Sequence, residues 1–103
     1  MYLIARLELS YAGVMDFLAI APKVRDKMEA RGCRMLHAMM MDIDRLNTIL
    51  HIWEVPDANS YFAAVDALKA DPEFPEIVGA LARAVVNETL SFASDAPYAP
   101  ALN

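Results

Sequence analysis

Apolar and polar residues alternate along residues 2–10, YLIARLELS. Leu3, Ala5, Leu7 and Leu9 point one way, and Tyr2, Ile4, Arg6, Glu8 and Ser10 the other. That period of two predicts a β-strand, and Gly13 ends the loop after it. Over residues 14–31 the period lengthens. Val14, Phe17, Leu18, Ala21, Val24 and Met28 recur at helical spacing, with Asp16, Lys23, Asp26, Lys27 and Glu29 mainly on other faces, as an amphipathic helix requires. Pro22 removes one helical hydrogen bond and is expected to kink or divide this helix. Gly32 stops it as a C′ residue.

Residues 33–42, CRMLHAMMMD, and 48–55, TILHIWEV, read as two strands. The turn from Asp44 to Asn47 makes them a hairpin. Asp57 caps a helix from Ala58 to about Ala70, with Phe62, Val65 and Leu68 on its buried side. Asp71-Pro72 restarts the chain, with Asp71 as cap and Pro72 at the first helical position. Phe74, Ile77, Val78, Leu81 and Val85 supply the next apolar stripe, and Pro75 delays its regular part by a turn. Residues 86–93, VNETLSFA, form the last strand. The tail, residues 94–103, carries Pro97 and Pro100 and is expected to be extended.

This order predicts one α+β domain over residues 1–93: a ferredoxin-like βαββαβ fold with a four-stranded antiparallel sheet and helices on one face. The other face stays bare. Tyr2, Ile4, Ile49, Trp53, Met35, Met39 and Met41 are all expected to point there, and so apolar a patch marks an interaction surface. Two copies facing each other would cover it and enclose a barrel, so a homodimer through the sheet face is the expected assembly.

Composition adds exclusions. At 103 residues there is room for one domain. The chain is 57% hydrophobic, a surplus that an interface or an apolar cavity absorbs. The net charge is -5, and the Lys and Arg residues are scattered, which argues against nucleic acid as a partner. No apolar run is long enough for a membrane span, and the N-terminus lacks the pattern of a signal peptide. The single cysteine, Cys33, fits a reducing, cytoplasmic setting.

Four segments carry a family likeness: Leu46-Asn47 before the third strand, His51-Ile52-Trp53 within it, Asp71-Pro72-Glu73-Phe74, and Ala96-Pro97-Tyr98-Ala99-Pro100. With Tyr2 and Arg6 of the first strand, they resemble the NIPSNAP pattern of an LN turn, an H-x-W strand, a DPE-aromatic step and a P-aromatic-x-P ending. The resemblance implies a ferredoxin-like subunit and a dimeric α+β barrel with a pocket on the sheet. It implies no single reaction, because the wider superfamily spans cofactor-free monooxygenases, haem-degrading enzymes and isomerases. The methionine-rich second strand departs from the pattern.

His51 and Trp53 share a strand face. That face is assigned to the cavity, because Leu50 and Ile52 on the other side suit helix packing. An imidazole beside an indole can orient and deprotonate a planar substrate; the plainer reading is a satisfied core histidine with tryptophan as filler. Arg6 and Glu8 share the inward face of the first strand, where they can pair structurally, or Arg6 can anchor an anion while Glu8 or His51 moves a proton. Met35, His37, Met39 and Met41 line one face. These groups suit Cu(I), but flexible pocket lining is the stronger reading, so no metal is assigned. On the last strand Asn87, Thr89 and Ser91 look into the cavity if Val86, Leu90 and Phe92 face the helices; the alternative puts Glu88 inside.

The candidate catalytic set is therefore His51, Arg6 and Glu8. The candidate binding set is Trp53, Tyr2, Met35, His37, Met39, Met41, Asn87 and Thr89. The functional reading is a small-molecule pocket protein for a hydrophobic or aromatic compound, with no cofactor. Its chemistry, if it has any, would be proton transfer, isomerisation or oxygenation. The rival is a non-catalytic dimeric binding or assembly module. A third option is haem degradation, for which His51, Trp53 and Asn87 supply the residue types.

Overall fold

The computed structural model describes residues 1–101. Its elements run β1 (Tyr2–Leu9), α1 (Val14–Glu29), β2 (Arg34–Met40), β3 (Asn47–Glu54), α2 (Ala58–Lys69), α3 (Phe74–Ala84) and β4 (Val85–Ala93). The strands form one antiparallel sheet in the order β2-β3-β1-β4. This is the expected ferredoxin-like arrangement, with its second helical segment divided into α2 and α3.

The junctions follow from local chemistry. A short 3-10 turn, Tyr11–Gly13, leads into α1, and the Gly13 N–H donates to Ser10 Oγ at 3.1 Å. Gly13 lies so close to the Ala84 backbone that a Cβ would collide with it. α1 then runs without a break through Pro22. Of the expected kink or division, the division does not occur: Pro22 is exposed, so water can satisfy the carbonyl its ring leaves unbonded. Phe17, Ile20 and Met28 hold the opposite face in the core. Ile20, rather than Leu18, completes that buried stripe. At the end of α1, Gly32 adopts a left-handed φ of 88°, and the Cys33 N–H donates to the Met28 carbonyl at 3.1 Å, closing the helix as a Schellman motif.

Asp71-Pro72 does not open a helix. The Asp71 carboxylate accepts the Glu73 N–H at 2.8 Å, and its carbonyl accepts the Phe74 N–H at 3.0 Å. α3 therefore begins at Phe74, and Pro75, not Pro72, occupies its first turn. Asp71 also pairs with Lys27 at 2.9 Å and Glu73 with Lys23 at 2.8 Å, tying this step to α1. The tail is not simply extended: the Ala99 N–H donates to the Ala96 carbonyl at 2.9 Å, turning the chain at Pro97-Tyr98.

Register decides the faces. Leu3, Ala5 and Leu7 are buried under the helices. Opposite them on β3 stand Trp53, His51 and Ile49, and on β4 Phe92, Leu90 and Glu88. Directly paired residues point the same way. His51, Trp53 and Ile49 therefore face the helices, reversing the assignment from sequence, and Leu50 and Ile52 face the open side.

A bulge at Leu36 divides β2. Met35 pairs with Trp53 and points to the helices, whereas His37 and Met39 pair with Ile52 and Leu50 on the open side. The expected Met35-His37-Met39-Met41 row is therefore broken, because an extra residue inverts the alternation. The open face keeps Tyr2, Ile4, His37 and Met39 and gains Leu50 and Ile52, with Met41 continuing their side just past the strand.

Candidate functional site

The cross-strand row through His51 is Ala38, His51, Ala5 and Leu90, one residue from each strand of the sheet. Alanines thus flank the imidazole on both sides. Ala21 of α1 also lines the space facing this row. Side chains this small cannot fill the gap between helix and sheet, and a cavity remains. It measures about 140 Å³. Leu3, Met28, Val55 and Leu81 supply apolar walls, and Trp53, His51, Tyr61, Glu88 and Arg25 supply groups with polar atoms. An adjoining groove of about 230 Å³ runs between α1 and β2, lined by Leu18, Met39 and Met40. His51, Phe17, Ala21, Arg25 and Met35 border both spaces.

Aromatic contacts fix the His51 ring. Its centroid lies 6.1 Å from that of Phe17 at 29°, and 6.2 Å from that of Trp53 at 82°. Among the described residues it joins no side-chain hydrogen bond, and its nitrogens are not shut off from solvent, since no fully buried side-chain nitrogen or oxygen lacks a partner. Burial holds its pKa below the usual imidazole value, which favours the neutral ring that can accept a proton. Burial, reinforced by Glu88, raises the Tyr61 phenol. Burial also raises the Cys33 thiol, leaving it a poor nucleophile.

The sheet separates the expected catalytic trio. Arg6 and Glu8 lie on the open face, opposite His51. Arg6 donates to Asp44, which raises the guanidinium's pKa and lowers that of the carboxyl. Glu8 is buried, accepts from Asn87 Nδ2 at 3.2 Å and stands 3.5 Å from Arg45 Nε. Both are thus partnered within the subunit, partly by the β2–β3 loop folding back over the sheet. Thr89 pairs with Arg6 and Asn87 with Glu8 on that same face. Tyr2 is there too, and the nearby Asp95 carboxylate raises its phenol's pKa. Of the expected binding residues, Trp53 and Met35 join His51 in the inner cavity and Met39 reaches the outer groove. Tyr2, His37, Met41, Asn87 and Thr89 border neither space. On β4 the expected faces form: Leu90 and Phe92 turn to the helices with Glu88, and Asn87, Thr89 and Ser91 to the open side; Glu88 lines the cavity because the cavity lies on the helix side.

Phe17, Arg25, Tyr61 and the two alanines were not singled out from sequence. One signal for them was available: Phe17, Ala21 and Arg25 recur every four residues along α1, which puts a cation at the end of a buried stripe. Among the described residues no cluster of three or more His, Cys, Asp or Glu side chains could hold a metal ion, and no helix is long and apolar enough to cross a membrane.

The NIPSNAP family model matches residues 2–100. No protein among curated sequences matches. Among solved structures, a protein from Agrobacterium tumefaciens is similar with a TM-score of 0.81 at 16% identity, covering 98% of each chain. A NIPSNAP domain protein from Burkholderia xenovorans has a TM-score of 0.76 at 20% identity, covering 98% of this chain and 100% of its own. A cofactor-independent oxygenase from Streptomyces nogalater, SnoaB, has a TM-score of 0.63 at 15% identity, covering 95% and 96%.

Proposed function

The chain belongs to the NIPSNAP family, and we propose that it binds a hydrophobic or aromatic small molecule between helices and sheet, with His51 as the proton acceptor of a cofactor-free reaction. One observation carries this reading. The neutral imidazole, beside Phe17 and Trp53, borders an apolar cavity lined by Ala5 and Ala21, while Ala38 on its other side lines the adjoining groove. A compound with an acidic C–H or O–H could stack on Trp53 and lose its proton to His51, giving an anion for isomerisation or for reaction with oxygen. The similarity to a cofactor-independent oxygenase supports that class of chemistry.

A homodimer through the open sheet face is part of the proposal. Ile4, Leu50 and Ile52 are still only partly buried there, and Met39 and Met41 are exposed. A second copy would cover these residues. The lone Cys33 supports a reducing, cytoplasmic setting. Haem degradation by His51, Trp53 and Asn87 is not proposed, since Asn87 bonds to Glu8 on the opposite side of the sheet.

Trp53 is the chain's one tryptophan, so its fluorescence reports on the cavity. Titration with a panel of aromatic acids and ketones should produce saturable quenching, lost in Ala5→Leu. If the panel is silent and His51→Ala melts far below wild type, the assembly module is the better account.

A further inference from the structure

Arg25 and Glu88 are the charged side chains bordering the two spaces. Glu88 reaches only the inner cavity, whereas Arg25 borders both and so stands where they join. Its Nε donates to Asp26 at 3.0 Å. Among the described residues its terminal Nη groups join no hydrogen bond or ion pair, so four N–H donors remain for a ligand. Resting on the pocket proposed above, we infer that the ligand is an amphipathic monoanion, its carboxylate or enolate held by the Arg25 guanidinium and its apolar body lying along Trp53 and His51.

The chemistry of the walls narrows the class. A carboxylate beside Arg25 can accept two parallel N–H bonds from the free end of the guanidinium, which a neutral apolar ligand cannot do. Glu88 adds a second constraint: a further carboxylate on the ligand that reached it would meet like charge. The ligand therefore carries its charge at one end only. An anion held at Arg25 also meets a neutral His51, so the ring can still accept a proton once the ligand is bound.

The test compares cinnamate with its neutral amide, cinnamamide, by isothermal titration calorimetry on the intact chain. Wild type should bind cinnamate about ten-fold more tightly, as one charge-assisted contact implies. Arg25→Gln should collapse that preference by weakening cinnamate, and Arg25→Lys should keep part of it. Circular dichroism checks that both variants fold, as expected for a side chain this exposed. Equal binding of the two probes by wild type, or a preference that survives in Arg25→Gln, overturns the anion assignment and leaves the pocket standing. Binding of neither probe overturns the pocket and the assignment together.

Discussion

His51 lies directly opposite Ala5 in the pairing of β3 with β1, and on its other side opposite Ala38 of β2. The cavity follows from that register. A larger residue at either position would occupy the space beside the imidazole. Ala5→Leu should abolish ligand quenching of Trp53, and overpacking should cost no more than about 1–3 kcal/mol. Urea unfolding and fluorescence titration on the same sample check both parts. Retained quenching would show that the ligand binds elsewhere.

The open face makes a separate prediction. Ile4 sits at its centre, opposite Ile52 on one side and Ser91 on the other, and it borders neither cavity nor groove. Ile4→Asp should convert a dimer to a folded monomer in analytical ultracentrifugation, because a charge would have to be buried unpaired in the interface. A wild-type chain that sediments as a monomer at micromolar concentration would end the dimer proposal.

Glycine substitutions should differ in sign with their surroundings. Gly13→Ala forces a methyl group against the Ala84 backbone and should destabilise by about 1–3 kcal/mol. Gly79 lies inside α3, and there a methyl group would meet only the flexible end of Arg83 at 3.4 Å. Gly79→Ala should stabilise by roughly 0.5–1 kcal/mol. Paired urea curves measure both.

Much of the fold was legible in the sequence, because periodicity and caps act locally. The alternation of β1, the Gly32 stop and the Asp57 cap, which accepts the Ser60 N–H at 2.7 Å, all formed as read. The faces of β2 and β3 were harder. TILHIWEV is apolar on both sides, so alternation alone gives two faces without saying which meets the helices. The Leu36 bulge then inverted half of β2, and nothing in MLHAMM marks it. Arg6 and Glu8 were recognised as charges needing partners, but Asp44 and Arg45 reach them from a loop whose path sequence does not reveal. Ala5 and Ala38 carry no chemical signal in the sequence, because a cavity is made by what is small and not by what is reactive.

The state of His51 should be visible in stability as well as binding. Burial holds the folded-state pKa below the usual value of about 6.5, so over that range the unfolded chain binds the proton more readily. Stability therefore rises with pH wherever the unfolded state holds more protons. This residue's contribution is fully present above about pH 6.5. It declines as pH falls toward the depressed folded value, and levels off below that. Burying the neutral ring thus weakens the protein on mild acidification, in a window that opens below about pH 6.5. In His51→Phe, which keeps a ring between Phe17 and Trp53, that mildly acidic slope should vanish while the carboxylate limb remains. The same window should govern ligand turnover, since a protonated imidazole cannot take a proton from the bound compound. Thermal melts at closely spaced pH values, for wild type and His51→Phe in parallel, make the measurement. Identical slopes would mean that His51 titrates alike in the folded and unfolded chain, and the proton-acceptor role would lose its physical basis.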